Sequence, residues 1–256
     1  MSMFTHSSLF PRLLSILLLL LLWQSVTTFL SSGVLQPPAS VFAFVVREAQ
    51  SGDLAHNVTA TMTRVLASFT LAMIIGGAIG LALGRSPASD RILDSWLMIL
   101  LNTPALVIII LCYVWLGLSE AAAITAVTLN KIPNVAVIMR EGARSLDPQI
   151  EEMRQAFRFD RRTWIRHVLF PQVEPYAVAA ARSGLALVWK IVLVVELLGR
   201  PDGVGYALSY YFQLFNVAAL LGYSLVFTAI VLLIDTLVLQ PLESYARRWR
   251  LVSSTA

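Results

Sequence analysis

Charge is scarce in this chain of 256 residues: Asp, Glu, Lys and Arg make up only 13% of it, against about 25% in an ordinary soluble domain. Lysine is rarer still, with Lys131 and Lys190 the two lysines among 19 basic residues. One cysteine, Cys112, excludes a disulfide scaffold. The histidines His6, His56 and His167 are too dispersed to suggest a metal site, and no catalytic dyad or nucleophile motif is present. No G-x-x-x-x-G-K-[ST] run occurs, so the chain is not expected to hold ATP itself. What is present is apolar: 57% of the residues are hydrophobic and mean hydropathy is +0.74. A water-facing globule of this size cannot hide that much apolar surface, and a disordered chain would not carry it. The composition implies an all-α polytopic membrane protein, and the length allows about six spans.

Six apolar runs fit that expectation, at 13–30, 65–83, 92–117, 121–139, 176–198 and 217–239. The first also has the look of a signal peptide, but no small-residue cleavage site follows it in Ser31-Ser32-Gly33-Val34-Leu35, so it is read as a span. The net charge of +4 reflects position rather than a nucleic-acid partner. Thirteen arginines fall on the side of the two termini, from Arg12, Arg85 and Arg91 through the long loop to Arg247, Arg248 and Arg250. Three (Arg47, Arg64 and Arg200) fall on the other. Basic residues mark the cytoplasmic face, so both termini are expected inside. The organisation reads as an N-terminal membrane helix (1–34), a proline turn with a short helix (35–53), a five-helix core (54–250) with a long loop at 140–172, and a tail (251–256). In the second segment Pro37-Pro38 stops any preceding helix and Ser40 is placed to cap the next, which lies either on the outer lipid surface or as an ordinary loop helix.

Gly76, Gly80 and Gly84 recur every four residues in the second span, the spacing of a close-packing seam between helices in lipid. In the long loop, Asp147 can cap a helix with Pro148 in its first turn. Ile150, Met153, Ala156 and Phe157 then share one face, with Glu151, Glu152, Arg154 and Arg158 on the others. Such a helix either docks into a groove on a soluble partner or lies on lipid headgroups. A basic stretch with Trp164 follows, and Pro171 is expected to break it before the fifth span.

Lys131 and Lys190 sit near mid-span, where a cation against lipid costs roughly 2.5–3.5 kcal/mol. They either line a path suited to an anion or pair with groups on neighbouring helices, Glu196 among those near Lys190. Asn102-Thr103-Pro104 and Asn130-Lys131-Ile132-Pro133-Asn134 read as breaks in the third and fourth spans, either lining a path or serving as packing kinks. Asn102, Asn130, Lys131, Asn134, Lys190 and Glu196 are thus the candidate path residues.

The loop motif Ser145-Leu146-Asp147-Pro148, Glu152 and Phe170-Pro171 resembles the cytoplasmic loop of binding-protein-dependent ABC-importer permeases. Met153 and Arg154 stand where that family has two alanines, and Arg158 where it has a glycine. Leu187-Val188-Trp189-Lys190, Glu196-Leu197-Leu198-Gly199, Gly203-Val204-Gly205-Tyr206 and Gln213-Leu214-Phe215 resemble the nitrate, sulfonate, taurine and bicarbonate branch, and the likeness extends over most of the chain. The resemblance implies a type I importer permease fold with a cytoplasmic coupling helix, in a bacterial inner membrane. It implies a second permease copy, a separate ATPase dimer that binds ATP and Mg, and an outer substrate-binding protein. It also implies that Glu152, Met153, Arg154, Ala156, Phe157 and Arg158 dock on the ATPase. The rival is a secondary transporter or channel that needs no ATPase and uses the intramembrane charges.

Overall fold

The computed structural model describes residues 9–30, 35–146 and 160–241. The described residues form helices and short connections, with no strand among them. The elements are α1 (Leu9–Leu30), α2 (Pro38–Ser51), α3 (Asp53–Arg85), α4 (Pro87–Asn102), α5 (Ala105–Leu116), α6 (Glu120–Arg144), α7 (Phe170–Gly199), α8 (Val204–Gln213) and α9 (Val217–Ile234). Arg161–Trp164 and a π turn at Ile165–Leu169 lead straight into α7, and a second π turn at Asp235–Leu239 extends α9. Four of these helices are long and apolar enough to cross a membrane, and the bent pair α4–α5 makes a fifth. The predicted loop helix, with Glu152, Met153, Arg154, Ala156, Phe157 and Arg158, lies outside the described residues.

α6 is the central helix, packed along α3 on one side and α7 on the other. It runs parallel to α3, and the glycine seam is what lets the two approach. A Cβ on Gly76 would stand 2.8 Å from the Ile132 carbonyl and from Val135 Cβ. On Gly80 it would collide with the Ala136 carbonyl and stand 2.7 Å from Met139 Cβ, and on Gly84 it would stand 2.5 Å from Ala143 Cβ. Backbone therefore lies on backbone over two turns. The main core, with Val65, Ile109, Val127, Val188, Val192, Val195 and Tyr223 fully buried or nearly so, fills the space among α3, α5, α6, α7, α8 and α9. A second cluster of Val135, Met139, Trp164, Leu169 and Val173 closes the opposite end.

Four sequence expectations need correction. The helix after Pro37 begins at Pro38, so Ser40 lies inside it and is not its cap. α3 starts at Asp53, twelve residues before the apolar run, because its polar first turns are held by tertiary partners described below. The segment Asn130–Asn134 does not interrupt the fourth span: α6 is continuous, with Pro133 inside it and buried. Proline removes one donor, and surrounding helices tolerate the freed carbonyl within a bundle. Nor does Pro171 break the loop from span five. The N–H of Phe170 reaches back to the Ile165 carbonyl, the wider π spacing, so the helix absorbs the missing donor and runs on. The second π turn repeats the device, ending just before Gln240-Pro241. The Thr103-Pro104 break, by contrast, turns α5 by 95° from α4.

Gly80→Ala is expected to destabilise the protein by about 1–3 kcal/mol, since the new methyl meets backbone that cannot rotate away. Gly77→Ala, where a Cβ would find nothing within 4 Å, is the control and should leave the melting temperature in detergent unchanged or slightly higher. Equal losses at both positions would remove the seam as the explanation.

Candidate functional site

At the end where α3 begins and α7 finishes, one turn of α3 after another presents a polar side chain inward: Asn57, Thr61, Arg64 and Ser68. Arg64 is 3% exposed and Glu196 is fully buried. Arg64 Nη1 donates to Glu196 Oε1 at 2.8 Å and to the Asp202 carbonyl at 2.9 Å. Its Nε donates to Glu120 Oε2 at 3.0 Å, and its Nη2 reaches Glu120 and the Asp202 carboxylate. The cation at the centre of three carboxylates is thus the guanidinium itself. Arg200 adds a second positive charge, donating to Glu120 at 2.8 Å and to the Leu118 carbonyl at 2.8 Å.

The same ladder caps α8. The N–H groups of Gly203, Val204 and Gly205 donate to Asn57 Oδ1 (2.9 Å), Thr61 Oγ1 (2.8 Å) and Glu196 Oε2 (2.8 Å). These are the orphan donors of a helix N-terminus, and a carboxylate there also meets the positive end of the helix dipole. Gly203 has φ +106°, a conformation a side chain would strain, and a Cβ on it would overlap the Glu196 carboxylate. Beyond the ladder, Glu48 of α2 accepts from Tyr211 (3.0 Å) and Tyr223 (2.8 Å), and Tyr223 accepts from Asn57 (3.1 Å). Burial and the carboxylate of Glu48 push the Tyr211 hydroxyl up to about 12. Sequence reading missed Arg64, Glu120 and Asp202; the signal available was the spacing of Asn57, Thr61 and Arg64 along one helix face.

Beside Arg64 opens a cleft of about 420 Å³, lined by His56, Thr59, Thr63, Arg64, Glu120 and Asp202. A shallower groove of about 600 Å³ continues from Thr63 past Leu66 and Ala67 to Thr70. Thr59, Thr63, Leu66 and Thr70 are exposed at helical spacing, so α3 presents a threonine stripe outward as well as the polar ladder inward.

The predicted path residues separate. Lys190 is exposed on α7, whereas Gly184 and Glu196 of the same helix are buried. Lys131 is buried, with Nζ donating to Asn134 Oδ1 at 2.6 Å, and Gly184 leaves room for its stem: a Cβ there would stand 2.6 Å from Lys131 Cε. Glu196 belongs to the Arg64 cluster. Asn102 is exposed and donates to the Met98 carbonyl at 2.7 Å, terminating α4. Asn130 is half-buried on α6.

Residues 68–250 match the family model described as "Binding-protein-dependent transport system inner membrane component". The chain belongs to this family. It is a permease component, and its helices follow the type I permease fold. The putative aliphatic sulfonates transport permease protein SsuC of Bacillus subtilis is 26% identical over 231 residues, 90% of this chain and 83% of that relative. The taurine transport system permease protein TauC of Escherichia coli is 26% identical over 195 residues, covering 73% and 71%. The nitrate import permease protein NrtB of Synechocystis is 23% identical over 200 residues, covering 75% and 73%. Among solved structures, an inward-facing MetNI methionine ABC transporter superposes with a TM-score of 0.67 at 19% identity, over 78% of this permease and 99% of that chain.

Arg64→Met is expected to cost about 3–5 kcal/mol, because it strands Glu196 as a buried charge. Adding Glu196→Gln should recover part of the loss, since the amide oxygen can still accept from the Gly205 N–H without a charge to bury. Chemical unfolding of the two single variants and the double variant measures this; strictly additive losses would show that the two residues do not depend on each other.

Proposed function

We propose that this permease forms the translocation path of an ATP-driven importer for a small anion, working as a homodimer with a separate ATPase dimer and an extracytoplasmic binding protein. The observation that carries the reading is the polar surface on its apolar spans. Thr59, Thr63 and Thr70 on α3 and Lys190 on α7 are exposed. Against lipid, Lys190 alone would cost roughly 2.5–3.5 kcal/mol. Such a face is stable against a second copy with a hydrated track between the two. The lysine gives the track a positive point, which suits the sulfonate, nitrate and bicarbonate named for relatives. The arginine-rich termini and loop 140–172 face the cytoplasm of a bacterial inner membrane, and Glu152, Met153, Arg154, Ala156, Phe157 and Arg158 meet the ATPase. ATP and Mg are held there, not by this chain.

Two measurements test the reading. An ATPase should co-purify with the wild-type permease from native membranes and be lost with Glu152→Ala/Phe157→Asp. In proteoliposomes holding the complex, Lys190→Gln should lower uptake of a sulfonate or nitrate about tenfold, the equivalent of one charge contact of about 1.4 kcal/mol, while Lys190→Arg retains most of it. Wild type that purifies alone and moves solute without ATP would instead make this a secondary transporter.

A further inference from the structure

The long loop leaves α6 at Arg144 and returns at Asp160, and the chain on both sides of it is tied to one place. On the departing side, Arg140 is 6% exposed, and its Nη1 donates to Asp90 Oδ1 at 3.1 Å and to Asp94 Oδ1 at 2.5 Å. Arg144, one turn on, pairs with Asp90 and with Glu141. On the returning side, the Arg85 guanidinium lies 4.1 Å over the ring of Trp164, which is itself buried. Arg85 ends α3, Asp90 lies in the first turn of α4 and Asp94 one turn on, so a stretch of ten residues, 85–94, holds both flanks.

The two grips are chemically independent, one an ion-pair cluster and the other a cation over an aromatic face. Asp90 and Asp94 are four apart and share a face of α4, so both carboxylates address Arg140 together. The opposite face, with Ile92, Trp96 and Ile99, is exposed and apolar. At its far end α4 stops at Asn102, where the chain turns by 95° into α5. α4 is therefore a short rod, gripped by ion pairs at the loop end, laid on α3 and α6 through Leu93 and Leu97, and jointed at the other end. On the α3 side, Gly80 and Gly84 lie directly on the backbone of Arg140, so α3 and α6 cannot shear past each other at this level.

We propose that the α3–α4 corner is the receiving half of the coupling machinery: Arg85, Asp90 and Asp94 are positioning residues that take displacement from both flanks of the loop and deliver it to α4, which turns about the Asn102–Pro104 joint. This rests on the ATPase-driven reading above and extends it to residues outside the loop helix.

The test is reconstitution of the permease with its ATPase and binding protein, reading complex assembly, ATP hydrolysis and solute uptake separately. For Asp90→Asn/Asp94→Asn, assembly and hydrolysis should persist while uptake per ATP falls about tenfold, inside the usual range of coupling effects. Asp94→Glu, which keeps the charge, should restore most of the ratio. Because the double variant removes two of the three acidic partners of a buried arginine and risks misfolding, Arg85→Gln gives a second reading from an exposed site: the same uncoupling, with an unchanged melting temperature. Uptake and hydrolysis falling in parallel, or an unchanged ratio in both variants, overturns the proposal while leaving the importer reading intact. A wild-type complex that transports without hydrolysis overturns both.

Discussion

A guanidinium at 3% exposure in an apolar helix stays there only if carboxylates come to it, and the arrangement around Arg64 follows from that requirement. Glu196 brings the last turn of α7, Glu120 the first turn of α6, and Asp202 the connection to α8. Three segments distant in sequence are thereby fixed at one point of α3. The fit is also why α3 extends outward past its apolar run. Asn57 and Thr61 would be ordinary solvated residues on a free helix end, but here they complete the N-terminus of α8. A fully buried ion pair of this kind adds little net stability compared with an apolar replacement, yet it admits few alternative arrangements of the same helices.

The opposite end of α6 repeats the logic with a different outcome. Arg140 is also nearly buried, and it meets Asp90 and Asp94 of α4 and, at 3.7 Å, Glu141 of its own helix. Around Arg64 the partners come from well-packed helix ends with buried backbone donors around them. Around Arg140 the partner helix is short and ends in a sharp bend. Between the two clusters runs the glycine seam, where no side chain separates α3 from α6. The pair is therefore stiff along its length. Movement within the chain has to pass through elements attached at its ends, and α4 is attached there by the Arg140 ion pairs and by the packing of Leu93 and Leu97 against α3 and α6.

Five of the six expected spans, counting the bent α4–α5 pair as one, the glycine seam spacing and the Pro104 break are legible in the sequence because each depends on local pattern: an apolar run, a four-residue repeat, an absent N–H; the apolar stretch of α1 is shorter than those of the others. Pro133 and Pro171 misled for the same reason. Whether a proline ends a helix depends on whether the freed carbonyl finds company, and that is decided by neighbours in space. The π turn before Phe170-Pro171 is a local solution that composition does not announce. Arg64 was assigned to a loop because its charge was counted for topology; its partners lie 56, 132 and 138 residues away, beyond any periodicity. Family resemblance drew attention to Glu196 as part of a motif, but not to what the carboxylate holds.

The two lysines differ in burial and in what surrounds them. On α7, Gly184 and Glu196 are buried and Lys190 is exposed. Lys131 sits against the hollow at Gly184, where a larger residue would overlap its stem, and its ammonium is directed to Asn134 on its own helix. A solute moving along the surface of α3 and α7 would meet Lys190 without any change in the bundle. To meet Lys131 it would first have to separate α6 from α7. That difference follows from burial alone: Lys190 is exposed, and Lys131 is 1% exposed.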